Sequence, residues 1–505
     1  MLRTPALLCA AAVAACSLAF APARAQTGVG PVEARNVIVI LSDDHAAGVY
    51  GAYGNPVVRT PNLDAFAAEG VRFERAYANS PMCTPSRGSL LTGRMPHAVG
   101  VTLLHTPLAD SVTTLADHLG PLGYRTAAIG KMHFNSGLMH GFDVRVDRGD
   151  YERHLAANPP RPVPKGVAVR PPWRPFTDPA AVWLNADGLP EARYAEDDEA
   201  TFLTDRAVDF LEESRDGPFL LWLGYHQPHS PFSFPVEYAD RYDPADMPLP
   251  EVGPEDARWV PAVFRGLTPD QSRGVVRAYY QSVEYLDHEV GRVLDAVDRL
   301  GLAETTLVVY LSDHGYLLGN HGRFEKHMMW EEAVRIPLVV RAPGLAPSVE
   351  RALVSGVDLV PTVLDVLGEP MMAGLHGRSL VPVLRGDADR HRRSVFSEYL
   401  QDDKAMIRTD RWKYVFTAGT HDLALGYETG FPPPGITHRL YDMHGDPGEQ
   451  RDLAGDPAYS GVLARMKQEM LMRFLQTHPH ASALPPQLSL DEALVWLTVP
   501  PEHRW

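Results

Sequence analysis

The chain predicts an α/β protein with a large, mostly parallel sheet flanked by helices, followed by a smaller C-terminal α+β unit. Three observations carry this reading. Short β-branched apolar runs alternate with helix-period stretches from Asn36 to Arg341. Apolar residues make up 45% of 505 residues, enough for one big domain plus a smaller one, or two to three of ordinary size. Four of the apolar runs are followed directly by clusters of Asp, Lys and His, and open α/β sheets gather ligand sites beyond their carboxyl strand ends.

Taken in order, residues 36–42, 124–129, 218–225, 307–312 and 337–341 are apolar runs too short for helices and are predicted as buried strands. Helical patterns over 62–69, 113–119, 201–214 and 269–300 lie between them. Residues 134–200 form an irregular insertion at the pocket rim, because Pro159-Pro160, Pro171-Pro172-Trp173 and the acidic run Glu196-Asp197-Asp198-Glu199 break the alternation. A catalytic α/β domain is therefore placed at 26–385. Strand-like runs at 395–399, 405–408 and 413–416 and a helix at 460–476 assign 386–480 to the smaller unit, with 481–505 a tail anchored by Trp496 and Trp505.

Residues 1–25 read as an export signal: Arg3, an apolar stretch over 6–20 shorter than a membrane span, and Ala23-Arg24-Ala25 before Gln26. A periplasmic or secreted protein is expected. Val13-Ala14-Ala15-Cys16 is a second-ranked alternative, a lipoprotein box that would leave Cys16 anchored to a membrane. Loss of Arg3 and Arg24 takes the formal charge from -16 to -18, which argues against nucleic acid as a partner. A local cationic pocket still suits an anionic substrate, since near charges outweigh screened distant ones. Oligomeric state is not readable from the chain.

Removal of the signal takes Cys9 and Cys16 with it, so Cys83 is left as a lone thiol with no disulfide partner. It stands in Cys83-Thr84-Pro85-Ser86-Arg87. Pro85 suits a first helical turn, Ser86 to Leu91 continue it and Gly93 ends it, which puts position 83 at a helix N-terminus whose free amides attract an anion. Asp43-Asp44 and Asp313-His314 each end a strand, and adjacent carboxylates there are either a solvated turn or a cation site. Gly130-Lys131-Met132-His133-Phe134 is not a nucleotide-binding loop, because Arg125 stands where the first glycine is needed and no Ser or Thr follows Lys131.

Together these runs resemble the type I, formylglycine-dependent sulfatases of the alkaline-phosphatase-like superfamily. The resemblance lies in Cys83-x-Pro85-Ser86-Arg87, Gly130-Lys131-x-His133, His229 within His226-Gln227-Pro228-His229-Ser230-Pro231-Phe232, Ser312-Asp313-His314-Gly315-Tyr316 and Glu325-Lys326-His327. It extends from about Asn36 to the Asp446-Pro447-Gly448-Glu449 segment and weakens over 134–200 and after 455. By resemblance Cys83 is oxidised to formylglycine by a maturation enzyme, and its hydrate attacks sulfur. Arg87 holds that hydrate, Lys131 and Lys326 bind sulfate, His229 protonates the departing alcohol and His133 deprotonates the remaining hydroxyl. Asp43, Asp44, Cys83, Asp313 and His314 are the implied ligands of one divalent cation, Ca²⁺ ahead of Mg²⁺ or Mn²⁺. His226 falls outside the match, and His327, Glu331 and Glu332 are read as helix surface. The implied activity is hydrolysis of a sulfate monoester, with a sulfated saccharide favoured over another small molecule. A phosphonate monoester or phosphodiester hydrolase and a non-catalytic sulfated-glycan-binding protein are the alternatives.

Overall fold

The computed structural model describes residues 34–177, 179–419, 429, 431 and 434–500. The expected export signal and Trp505 lie outside the described residues. At the centre is an eight-stranded mixed sheet of β1 (Asn36–Ser42), β2 (Val71–Phe73), β3 (Arg125–Gly130), β4 (Val144–Val146), β5 (Phe219–Gly224), β6 (Thr306–Ser312), β7 (Leu338–Arg341) and β8 (Ser348–Glu350). Their order across the sheet is β8-β2-β7-β6-β1-β5-β3-β4. β1 is parallel to both β5 and β6, while β7 runs antiparallel to β6 and β2.

Eight helices carry the packing argument: α1 (Pro61–Glu69), α2 (Cys83–Thr92), α3 (Arg148–Ala157), α4 (Glu199–Ser214), α5 (Pro269–Arg299), α6 (Leu359–Leu367), α7 (Ser460–Thr477) and α8 (Leu490–Thr498). Every residue of β1 is buried because both sheet faces are covered. Val37, Val39 and Leu41 enter a core with Leu90 of α2 and Val360, Val363 and Leu364 of α6. Ile38 and Ile40 point the other way, toward Phe66 of α1, Leu203 of α4 and Val283 of α5. Truncating such a residue, as in Ile40→Ala, costs about 2–5 kcal/mol. The helix α5 starts on a capping box, in which Thr268 accepts from Gln271 N and Pro269 occupies the first turn.

The register matters most for function. Ser42 of β1 pairs with Ser312 of β6, Leu41 with Gly224 of β5, and Gly130 of β3 with Gly224. Asp43, Asp313, Lys131 and the Tyr225-His226 run thus leave one sheet edge side by side. Gly224 is needed there, because an added Cβ would collide with Lys131 O.

The insertion is more regular than its sequence suggests. Residues 144–146 pair with β3 as an edge strand, and Asp147 caps α3 through a capping box with Asp150. Proline dominated the reading of this stretch, while the short strand and the cap gave only local signals. The strands over 71–73, 348–350 and 437–442 also carried too few residues, or too polar a pattern, to be read as strands.

The smaller unit is an antiparallel sheet of β9 (Ser394–Tyr399), β10 (Lys404–Thr409), β11 (Trp412–Thr417) and β12 (Thr437–Asp442), paired in sequence order. Met466, Met470 and Phe474 of α7 pack on Tyr414 and Phe416 of β11. Leu494 and Leu497 of α8 join the same core, so this part of the tail belongs to the smaller unit. Glu331, expected on a helix surface, instead ties the two units together. Its Oε1 meets Lys413 Nζ at 3.2 Å and Arg408 Nε at 3.3 Å, and its Oε2 accepts from Tyr77 at 2.8 Å. His327 is also buried, stacked on Tyr399, and Glu332 accepts from Asn320. Among the described residues no helix is long and apolar enough to cross a membrane.

Candidate active site

The helix α2 begins at Cys83 itself, after Met82 in extended conformation, and ends at Gly93 with φ of 66°. Pro85 lies in the first turn, where a missing N–H leaves no bond unmade. Cys83 is buried and is the free cysteine of the described chain. Its Sγ lies 3.2 Å from Lys326 Nζ, 3.2 Å from His314 Nε2, 3.3 Å from Asp43 Oδ1 and 3.8 Å from Lys131 Nζ. Burial and Asp43 push the thiol up, but Lys131, Lys326 and His314 together outweigh them and hold it well below the ordinary cysteine range.

The acids are bound from opposite sides. Asp43 pairs with Lys131, and Asp44 Oδ1 with Lys326 Nζ at 2.7 Å. Burial pushes both carboxyls up, and the lysines with other nearby cations pull them back below the usual carboxylate range. Arg87 ties three strand ends together: Nε donates to Asp313 Oδ2 at 2.8 Å, Nη1 to Lys131 O, and Nη2 lies 3.7 Å from Asp43 Oδ1. Asp313 Oδ1 accepts from the backbone N of Asp44 and of His314. Burial raises Asp313 to about 6 in spite of His314 and Arg87.

Asp43, Asp44, Cys83 and His314 offer ligand atoms all within 4.8 Å of one another, and every one is buried. Asp313 stands beside this group, with Arg87 on one oxygen and two backbone amides on the other. Two observations make the group suit a cation. Asp44 Oδ2 is buried without a hydrogen-bond donor. Burial disfavours a charged His314, yet Asp313, Cys83 and Asp44 raise it to about 9, the response of an imidazole in a surplus of negative charge.

Two further histidines face the same cavity of about 620 Å³. His133 Nδ1 lies 3.2 Å from Thr84 Oγ1, which itself donates to Leu104 O, so Nδ1 carries the proton and Nε2 the lone pair. Burial and Lys131 push its pKa far down, which keeps it neutral. His229 Nδ1 donates to Ser230 O at 2.6 Å, leaving Nε2 4.0 Å from the undonated Asp44 Oδ2. Trp173 of the insertion stands edge-on to the His229 ring at 6.0 Å.

Thus all ten residues singled out from the sequence converge, with Asp313 and Arg87 forming a brace behind the acids. Thr84 and the cavity-lining Arg148, Arg170, Arg193 and Glu199 were not singled out, and His226 was left outside the family match. Only His226 had a usable signal, its place in the His229 run. The others became site residues through packing.

A polarised nucleophile position at a helix N-terminus, set between paired acids and three cations, is a centre for transfer of a tetrahedral oxyanion group. The chain belongs to the sulfatase family: the Sulfatase family profile matches residues 35–369, and that of the N-sulphoglucosamine sulphohydrolase C-terminal domain matches 319–476. It is 28% identical to the choline-sulfatase of Rhizobium meliloti (strain 1021), over 84% of this chain and 83% of that one. It is 27% identical to the N-acetylglucosamine-6-O-sulfatase of Bacteroides thetaiotaomicron, over 87% and 85%. Among solved structures it is similar to the phosphonate monoester hydrolase of Silicibacter pomeroyi, with a TM-score of 0.74, 26% identity and coverage of 89% of this chain and 97% of that one. The protein is a sulfatase, a hydrolytic enzyme.

Proposed function

We propose that this sulfatase is an exported, formylglycine-dependent enzyme that cleaves a sulfate monoester of a saccharide. The observation that carries the reading is the set of contacts around Cys83 Sγ, with Lys326 and His314 at 3.2 Å and Asp43 at 3.3 Å. The thiol stands where an oxygen of the matured residue would stand. Formylglycine supplies a hydrate oxygen as nucleophile, and a divalent cation, with Ca²⁺ favoured by oxygen donors, adds fixed positive charge. Asp43, Asp44, His314 and residue 83 would hold that cation, with Asp313 adjoining.

The chain's own side chains divide the remaining work. Lys131 and Lys326 each touch both an acid and the residue 83 atom, so a sulfate entering there meets two ammonium groups already held in place. Arg87 keeps the ends of β1, β3 and β6 together behind the nucleophile. His229 Nε2, with Nδ1 fixed on Ser230 O, is the proton donor to the leaving alcohol oxygen. His133 Nε2, neutral and buried, is the acceptor for the proton of the second hydroxyl of residue 83.

Export, the maturation enzyme and the saccharide rest on the signal-like residues 1–25, the Cys83-Thr84-Pro85-Ser86-Arg87 run and the sugar-sulfate relatives. The likeness to a phosphonate monoester hydrolase favours a second reading, an enzyme whose better substrate is an aryl phosphonate. Purified enzyme assayed on 4-nitrophenyl sulfate and on 4-nitrophenyl phenylphosphonate decides between them by kcat/KM. Mass spectrometry of the peptide bearing residue 83 tests the nucleophile, and an unmodified thiol in active enzyme sinks it.

A further inference from the structure

His226 has no part in the steps above, yet it lines the cavity two positions after β5. Its Nδ1 is buried without a hydrogen bond, and 3.5 Å away lies Glu199 Oε1, also buried without one. Arg148 Nη1 holds the other oxygen, Glu199 Oε2, at 3.1 Å, so the carboxylate is anchored with its free oxygen turned to the imidazole. A slight closure makes this an Nδ1–H···O contact, which leaves the Nε2 lone pair for the cavity. Burial and Lys131 push the His226 pKa well down, in keeping with a neutral ring that accepts at Nε2.

His226 and His229 belong to one turn, closed by His229 N donating to His226 O at 2.8 Å. Both imidazoles line the cavity, so one substrate can meet both. Of the cavity-lining arginines, Arg170 pairs with Glu191 at 2.6 Å and Arg148 with Glu199 at 3.1 Å, while Arg193 donates to the Tyr151 hydroxyl. The wall thus presents hydrogen-bonding groups that suit the hydroxyls of an alcohol better than a quaternary ammonium. Trp173 and Phe176 add an apolar edge for the C–H face of a ring.

We propose that His226, oriented by Glu199 and Arg148, reads the alcohol half of the substrate by accepting a hydrogen bond from a hydroxyl on the carbon next to the sulfated one. This rests on the sulfatase reading and narrows its substrate to vicinal hydroxy sulfates. Glu199 is a positioning residue.

The test compares kcat/KM for trans-2-hydroxycyclohexyl sulfate and cyclohexyl sulfate in the wild type, His226→Ala and Glu199→Gln. The wild type should prefer the hydroxylated ring by about tenfold or more, because the plain ring covers the Nε2 acceptor without pairing it. In His226→Ala the ratio should fall to near one, and Glu199→Gln should lie between, a change that general loosening of the fold would not produce. A wild-type ratio near one overturns the proposal without any variant, and a ratio retained in folded His226→Ala overturns it equally. Wild-type turnover of 4-nitrophenyl sulfate is the separate control. If it persists while the hydroxylated ring is not preferred or not cleaved, only the role of His226 falls. If no sulfate ester is cleaved, the sulfatase reading falls first.

Discussion

The inner and outer halves of the cavity are built by different means. The inner half, Asp43, Asp44, Lys131 and Asp313 around Cys83, hangs from the carboxyl ends of paired strands whose register sets the side chains to hydrogen-bonding accuracy. The outer half, from Asn135 through Trp173 to Glu199, comes from an insertion in which, among the described residues, the only strand is the three-residue edge β4. A rigid sheet suits the chemistry common to the family, because electrostatic stabilisation needs groups held before the charge develops. A rim outside the sheet varies without disturbing that register, and under the proposal for His226 it meets the substrate's alcohol half.

If this division is right, the largest effects belong to the inner half. Cys83→Ala should lower kcat on 4-nitrophenyl sulfate by about 10⁴-fold or more, since it removes the nucleophile, with an unchanged circular-dichroism spectrum. Residual activity near the wild-type level would break the comparison at its centre.

Asp44→Asn should cost roughly 10²–10³-fold, the scale for losing one preorganised electrostatic group. It strips Lys326 of its carboxylate partner and weakens the cation group, so metal analysis of the purified variant should find the bound cation depleted. Chelated, demonstrably metal-free wild type should lose activity and regain it with added Ca²⁺. Full activity without metal would contradict the assignment.

A smaller and selective effect is expected at His229. A sugar or alkyl alkoxide needs its proton in the transition state, whereas nitrophenolate leaves unaided. His229→Ala should therefore slow alkyl sulfates by roughly 10²-fold and 4-nitrophenyl sulfate much less. Equal losses on both would assign this histidine to sulfate binding, as expected for substitution of Lys131.

The smallest effect lies in the rim and concerns stability. Burial, reinforced by Glu191, raises Asp198 from 3.8 to about 7 despite donors from Ala200 N and Tyr285. Below the unfolded value the carboxyl is protonated in both states and has no pH-dependent effect. Between the two values folding takes up a proton, so the fold loses stability as pH rises toward 7 and keeps that loss above it. Asp198→Asn should raise Tm relative to the wild type at pH 8 and match it near pH 4. A variant that is less stable at pH 8 would mean that the charge serves the fold.

Much of the inner half was legible in the chain. The strand at Asn36–Ser42, the helix from Cys83 to a glycine stop and the acids and cations after each strand all follow from local rules of burial, capping and chain punctuation. The rim was legible only as an irregular insertion over 134–200, and its acidic run did not mark Glu199 as the partner of a cavity histidine. Its burial against His226 and Arg148 depends on where the insertion folds back. Glu331 was misread for a related reason: a four-residue helix gives too short a pattern to reveal that Lys413 and Arg408 of another unit cover it.

By itself, then, the sequence picked out the candidate residues and set Asp43, Lys131 and Asp313 directly after strands, because apolar runs and the polar residues that stop them are local properties. Strand order and pairing were decided only by the tertiary structure. Lys326 reaches Asp44 across 282 residues because β6 lies beside β1. That neighbourhood comes from covering both sheet faces at once, a requirement of the whole core that no local run of residues expresses.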